Sequence, residues 1–307
     1  MEASRPKDFL QLHFIVMLWG FTAILGVLVS LPKVELVWYR TLIASGGLAL
    51  LLYFRKTGFW PGKKPTVHML LTGIIIAAHW ILFFVSAKIS SVSICLAGMA
   101  TGSLWTAILE PILLKRSFRW IEVVLGVLVI FGLYLIFQFE FDQALGLVLA
   151  IISAFLSSLF TVINSRLTPN HDHYLITFWE MVGANLSILI FFPLYISVEA
   201  FGATNGLQLA WKDYDGLWIF LLAVVCTVYA YSISVELQRR LSAFTVNLTV
   251  NLEPVYGIIL AIIFFNEHEN LSLGFFYGTA VILLAVLLYP VMLKWEKRRQ
   301  LQINELN

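Results

Sequence analysis

Ten long apolar stretches, separated by short polar punctuation, run the length of this 307-residue chain. They cover roughly residues 9–31, 34–54, 66–87, 90–114, 120–138, 144–166, 173–197, 215–237, 242–265 and 271–293. A helix rising about 1.5 Å per residue needs about 20 mostly apolar residues to cross a bilayer's hydrocarbon core. Each stretch therefore predicts one spanning helix. The shortest joints fall at Pro32-Lys33, at Lys88 and around Asp142. The longest loop, 198–214, is polar and contains glycine, with Trp211 and Trp218 flanking it. Trp38, Trp60, Trp120 and Trp295 also sit near the ends of stretches, where amphipathic rings settle at the membrane interface. The first stretch is too long for the apolar core of a signal peptide and no small-residue cleavage site precedes Pro32-Lys33, so it reads as the first span.

Composition agrees with a membrane solvent. Sixty per cent of residues are hydrophobic and 12% charged, against roughly 25% charged in soluble domains. The placement of the charges says more than their net value of +2. With the N-terminus inside, sixteen Lys and Arg fall in cytoplasmic segments, including Arg5, Arg55, Lys63, Arg116, Arg119, Arg166, Arg239, Arg240 and Arg298. Three, Lys33, Lys88 and Lys212, fall outside, and Arg40 lies within a span. Merging or dropping one helix would destroy that alternation, so the positive-inside bias fixes both the count and the orientation. The outside loops carry acids instead: Glu35, Glu140, Asp142, Glu199, Asp213, Asp215, Glu267 and Glu269. A cell membrane location with both termini in the cytoplasm follows as the expectation. Lipid is the surrounding partner and nucleic acid is not.

Weak internal repetition adds a second level of order. Spans three to five resemble spans eight to ten at a lag near 151: Ile89-Ser90-Ser91-Val92-Ser93 lies against Arg240-Leu241-Ser242-Ala243-Phe244, and Gly126 against Gly278. Span two matches span seven at a shorter lag, with Trp38-Tyr39-Arg40 against Phe178-Trp179-Glu180. Five helices per half is an odd number, so the second half enters the membrane from the opposite side. The expected fold is an all-α membrane protein of ten helices in two inverted five-helix repeats, 1–140 and 141–307. The Glu-Pro pairs at 110–111 and 253–254 do not share that lag and read as separate features.

The pattern resembles the drug/metabolite transporter superfamily, and within it the EamA-type ten-helix transporters, over nearly the whole chain. The resemblance rests on Leu18-Trp19-Gly20, on Arg40 in Trp38-Tyr39-Arg40, on Glu253-Pro254-Val255-Tyr256-Gly257, on Asn266-Glu267 and on Gly278. It implies transport of amino acids or other small metabolites through a central cavity. Where the second half carries Glu267 and Glu269, the first carries Lys115, Arg116 and Ser117, as a loop on the opposite side of the membrane requires.

Polar groups that persist in lipid face protein or a water-filled cavity. Glu253 lies near the middle of span nine, and Pro254 removes a backbone donor beside it. A carboxylate at a locally broken helix is a candidate site for substrate or for a proton; pairing with a structural cation is the alternative. Asn247 and Asn251 are four residues apart and share a face; they line a cavity or join helices. Arg40 snorkels outward or reaches toward Glu253. Glu110 and Glu180 lie in the cytoplasmic third, with Arg166 as a candidate partner for either. His79-Trp80 sits near mid-membrane as a relay or as hydrogen-bonded packing. Trp19 and Tyr229 wall a cavity or simply pack, as do Trp105, Trp179 and Tyr231. Gly98 and Gly102, and Ser153, Ser157, Ser158 and Asn164, read as helix-packing positions. Asp172 between His171 and His173 reads as a solvated turn without a metal.

No P-loop, HExxH or nucleophile elbow is present in the sequence. Cys95 and Cys226 both fall in apolar runs, which speaks against a disulfide framework or a zinc site. The expectation is a cofactor-free secondary transporter, read as an exporter, that moves small metabolites such as amino acids by alternating access, with protons as a candidate coupling ion. A membrane-embedded enzyme or a non-transporting scaffold is the alternative. Apolar helix faces do not by themselves imply a dimer. The topology makes one prediction: a tag inserted in 198–214 is reached by an impermeant reagent from outside intact cells, and one at 56–64 only after permeabilisation.

Overall fold

A computed structural model describes residues 4–90, 92–137, 144–197, 206–257 and 273–306. These form helices α1 (Pro6–Gly20), α2 (Thr22–Leu28), α3 (Lys33–Phe54), α4 (Lys63–Ile89), α5 (Val92–Met99), α6 (Thr101–Leu114), α7 (Trp120–Phe137), α8 (Ala144–Leu167) and α9 (His173–Ser197). Then come α10 (Asp215–Phe220), a nine-residue π-helix (Leu221–Tyr229), α11 (Ala230–Leu237), α12 (Ala243–Val250), a helical stretch at 253–257, and α13 (Leu273–Leu306). There is no strand among the described residues. Eight helical segments are long and apolar enough to cross a membrane. Of the other two expected spans, 120–138 appears as the shorter apolar helix Trp120–Ile136. The stretch 242–265 appears as α12 and 253–257, and its remainder lies outside the described residues, as do Glu140, Asp142, Glu199, Asn266, Glu267 and Glu269.

Where the helices stop and break follows from local chemistry. Asp172 caps α9 by accepting from the backbone N–H of Tyr174 at 2.9 Å, so the expected solvated turn is a helix cap. Ser242 caps α12 through the N–H of Thr245 at 3.1 Å. Lys115 ends α6 in the left-handed region at φ +52°. Three expected spans are interrupted: at Phe21, at Ala100, and at Asn251-Leu252. The last break has a visible cause. Pro254 has no N–H to give the Val250 carbonyl, and the N–H of Leu252 turns back to the Thr249 carbonyl at 3.0 Å.

The bundle is apolar outside and polar within. Ile190, Leu145 and Leu50 are 79, 67 and 61% exposed, while Arg40, Glu110, His79, Asn164 and Glu180 are buried. Water would favour the reverse; a hydrocarbon solvent favours this arrangement, because charged and hydrogen-bonding side chains can meet partners or a wet cavity only inside the protein.

The apolar contacts gather in two clusters. One centres on α3, α4, α9 and the π-helix, the other on α1, α7, α12 and α13, and Trp19 packs against both. Pairwise contacts follow a regular scheme. Helix α4 packs on α8 and α9, while the π-helix and α11 pack on α1 and α3; α5 and α6 lie on α8, as α12 lies on α1. Helix α7 meets α13, α3 meets α9, and α6 meets α12. The closest crossing is at Gly73 and Gly183: a Cβ on Gly183 would lie 2.3 Å from the Leu70 carbonyl oxygen. Gly183→Ala therefore forces backbone apart and is expected to cost about 1–3 kcal/mol, read as a lower thermal midpoint of the purified protein. Gly46→Ala, inside α3 with open space at its Cβ, does not lower the midpoint and is expected to raise it slightly, since Ala is the better helix former by about 0.5–1 kcal/mol.

Candidate functional site

A cavity of about 90 Å³ lies between the two clusters, lined by Trp19 and Thr22, Arg40, α4, Met99, α8, the π-helix and α11, and 246–253. Its polar groups come from helices that are broken or distorted beside it. Glu253 follows the break at Asn251-Leu252 and its Oε1 lies 3.3 Å from Thr22 Oγ1, the first residue of α2 after the break at Phe21. Thr22 Oγ1 also donates to the Trp19 carbonyl at 2.7 Å. The crossing that brings these segments together is close: a Cβ on Gly20 would lie 2.9 Å from the backbone N of Gly257.

The π-helix supplies the opposite wall. Its hydrogen bonds skip five residues, and the widened turn puts carbonyl groups off the α-helical ladder. The Trp19 indole N–H takes one of them, the Cys226 carbonyl, at 3.0 Å. Thr227 Oγ1 donates to the Leu222 carbonyl at 2.9 Å and accepts from Arg40 Nε at 2.9 Å. The Arg40 guanidinium lies 3.8 Å above the Trp80 ring centre, a cation–π contact in a desolvated setting. Arg40 thus faces the cavity rather than snorkelling, and among the described residues it makes no ion pair; it shares the cavity with Glu253 without touching it.

His79 is hydrogen-bonded against α8 and also borders the cavity. Its Nδ1 lies 2.9 Å from the Ser153 carbonyl and 2.8 Å from Ser153 Oγ, which donates back to the His79 carbonyl at 2.9 Å. The same ring lines the cavity. Asn247 lines it too, while its Nδ2 donates to Thr106 Oγ1 at 2.6 Å. Asn251 does not line it: its Nδ2 donates to the Asn247 carbonyl at 3.2 Å, one turn back. Tyr229 faces outward, 39% exposed, with its ring edge on Phe14. Tyr231 takes the place on the wall, edge-on to Trp80 and Phe160.

Sequence reasoning passed over several lining residues. Thr22, Phe83, Phe84, Phe160, Ser234 and Gln238 carry no motif. Ser157 and Thr161 did carry a signal, a polar i, i+4 stripe with Ser153 in span six, but it also suits packing. Ser158 does pack, donating to the Gly102 carbonyl at 2.7 Å.

Both ends of the bundle are tied across helices. At one, Asp215 accepts from Ser30 N–H at 2.8 Å and Ser30 Oγ at 2.6 Å, and Phe84 fills the space beside Gly26. At the other, Arg240 Nε pairs with Asp8 at 3.0 Å and its Nη2 with Glu236 at 3.1 Å. Burial opposes the Arg240 charge, but Glu236 and Asp8 more than offset it and hold its pKa above the ordinary value. The cavity lining reaches Gln238 at the Arg240 end and stops at Phe83 and Phe84 on the other.

The partners of Glu110 and Glu180 differ from the expected Arg166, which is exposed. Glu110 pairs with Arg116 at 3.2 Å and accepts from the Phe244 N–H at 3.0 Å, so it ties α6 to the start of α12. Arg116 also pairs with Glu122, whose other oxygen accepts from Tyr289 Oη at 2.5 Å. Burial works against the Arg116 charge, yet Glu110 and Glu122 outweigh it and raise its pKa. A loop cation just past the helix end reaches these acids; Arg166 sits on a helix face turned elsewhere. Arg116→Gln leaves the buried Glu110 without its cation and Glu122 with Arg119 alone, at 3.8 Å, and is expected to cost about 2 kcal/mol or more. The check is thermal stability, with recovery in the triple variant that adds Glu110→Gln and Glu122→Gln.

Among the described residues no three metal-ligating side chains come together. A model of the EamA-like transporter family matches residues 10–138 and again 144–289. A Dictyostelium discoideum protein named UDP-N-acetylglucosamine transporter slc35b4 is 27% identical over 157 residues, 48% of this chain. The match spans 43% of that relative's own length. A solved crystal structure of a protein aligns over 92% of this chain and 96% of its own, with a TM-score of 0.72 at 15% identity. That likeness concerns the fold alone.

Proposed function

The chain belongs to the EamA-like transporter family, and from that premise we propose that it is a secondary transporter that exports small zwitterionic metabolites such as amino acids by alternating access. Membership makes it a multi-pass membrane transporter and not an enzyme. The finer reading is carried by one observation: Arg40 and Glu253, a cation and a carboxylate, line a single cavity in mid-bundle walled by aromatic rings. A solute with one charge of each sign finds a partner for both, and its side chain finds apolar surface. The same logic speaks against a nucleotide sugar, the cargo in the relative's name. A diphosphate would bring two negative charges to one arginine and one carboxylate. The cavity volume is also small beside the roughly 300–1,000 Å³ of sites for larger ligands.

Alternating access suits a protein made of two inverted five-helix units, 1–140 and 141–307. The double family match supports that division. So does the packing scheme: exchanging the first unit's spans for the second's turns the contacts of α4 on α8 and α9 into those of the π-helix and α11 on α1 and α3. It leaves the α7–α13, α3–α9 and α6–α12 contacts in place. With the Lys/Arg-rich ends in the cytoplasm of a cell membrane, the cavity leans toward the inside and the Ser30–Asp215 closure is the outer gate. Glu253 is the candidate group for solute or proton, with Trp19, Arg40, His79, Trp80 and Asn247 around it; Asn251 holds the Asn247 carbonyl from one turn on, and Tyr229 lies outside the site.

Counterflow in proteoliposomes tests this reading. Liposomes loaded with an unlabelled amino-acid mixture are expected to accumulate the labelled mixture, and liposomes loaded with UDP-N-acetylglucosamine are not. Trans-stimulation separates a transporter from a channel or a scaffold. Glu253→Gln should lower the exchange rate about tenfold or more, the effect of losing about 1.4 kcal/mol of interaction, and flatten its pH dependence. Unchanged exchange with unchanged pH dependence in that variant contradicts the role of Glu253.

A further inference from the structure

Helix α9 carries a carboxylate that the proposed solute site does not use. Glu180 is wholly buried. Its Oε2 accepts from the Tyr231 hydroxyl at 3.0 Å, and Asn164 Nδ2 donates to the same hydroxyl at 2.8 Å. The Asn164 side chain lies beside the carboxyl as well. Tyr231 belongs to the cavity wall, so its hydroxyl is a bridge of one oxygen atom between the cavity and Glu180.

Among the described residues no cation balances this carboxyl. The groups facing it are Tyr231 from α11, the neutral Asn164 from α8 and the backbone of α4 at the Gly73 crossing. Arg40 of α3 is engaged elsewhere, by Thr227 and Trp80. The count of hydrogen atoms is also short. Glu180 Oε1 and Asn164 Oδ1 are both buried without a hydrogen-bond partner. Both are acceptors of an ionised carboxylate and an amide, so one cluster holds two acceptors and lacks a donor. A single proton on the carboxyl supplies it: Oε1–H becomes a donor that Asn164 Oδ1 can accept. An ionised Glu180 would instead be a charge out of water with no counter-charge.

We infer that Glu180, Tyr231 and Asn164 form a proton-binding site behind the cavity wall, loaded and unloaded through the Tyr231 hydroxyl. On loading, hydronium in the cavity gives a proton to the Tyr231 oxygen while the hydroxyl's own proton passes to Glu180 Oε2, and a half-turn of the carboxyl about its Cγ–Cδ bond then carries the new O–H round to Asn164 Oδ1 and brings the bare oxygen to the Tyr231 hydroxyl. Water is left in the cavity, the phenol is restored and the carboxyl is neutral. Release reverses each transfer. The site's existence stands apart from the transporter reading; its use in coupling rests on that reading.

Infrared spectroscopy of the whole protein in lipid nanodiscs, titrated in pH with no solute added, tests the site. The wild type is expected to show the carbonyl band of a protonated carboxylic acid at neutral pH. One component should disappear in Glu180→Gln and persist in Glu253→Gln. In Tyr231→Phe the carbonyl loses a hydrogen-bond donor, so that component should move to higher wavenumber. Deuterium should also exchange into it more slowly, by about tenfold or more for a lost proton-transfer group. If Glu180→Gln does not fold, the Tyr231→Phe shift and exchange rate decide alone. A component unaltered in the variants, or exchange as fast in Tyr231→Phe as in the wild type, overturns the inference. Because no solute is present, such a failure is separate from a failure of counterflow.

Discussion

The cost of holding charge away from water orders this molecule. An ionic side chain in hydrocarbon is expensive unless it meets a partner or a wet cavity. Arg40 and Glu253 both lie far from either end of the bundle, and both line the same internal cavity. Acids nearer the bundle ends are tied off in ion pairs. Glu110 and Glu122 close on Arg116, and Asp8 and Glu236 close on Arg240. On the proposed function, the division has a purpose. Charges that must stay put are paired at the bundle ends, and charges available to a solute are left facing the cavity.

Helix distortion is the second device. A regular helix in lipid satisfies its own backbone and offers nothing to a ligand. Here the wall is made where regularity fails: the break before Glu253, the break after Gly20, and the π-helix whose Cys226 carbonyl holds Trp19. These three features touch one another. A change in one helix's register therefore reaches the others through the Trp19 indole and the Thr22 hydroxyl, which would give the proposed rocking of the two halves a structural path to the site.

The sequence exposes these features unevenly. Span positions were legible because hydropathy over about 20 residues depends only on composition. Pro254 announced the break beside Glu253 because a missing N–H is a local fact. The π-helix was not legible, since nothing in Leu221–Tyr229 differs in kind from an α-helical run. That matters two residues further on. Positions 229 and 231 lie about 200° apart on a helix, so the rotation that sends Tyr229 outward brings Tyr231 to the wall. Charge partners failed for a related reason. Arg166 was chosen by depth in the membrane, but Arg116 reaches Glu110 from a loop whose fold the apolar pattern does not describe.

Access from both faces of the membrane is the claim on which the account depends. The direct measurement is modification of Ser157→Cys, a cavity position, in a chain whose Cys95 and Cys226 are replaced by serine. The variant is reconstituted in one orientation and treated with an impermeant maleimide applied to either face. The account predicts labelling from the face with Arg240 at rest, and labelling from the face with Ser30 once an amino-acid mixture drives turnover. Labelling from a single face under every condition contradicts it.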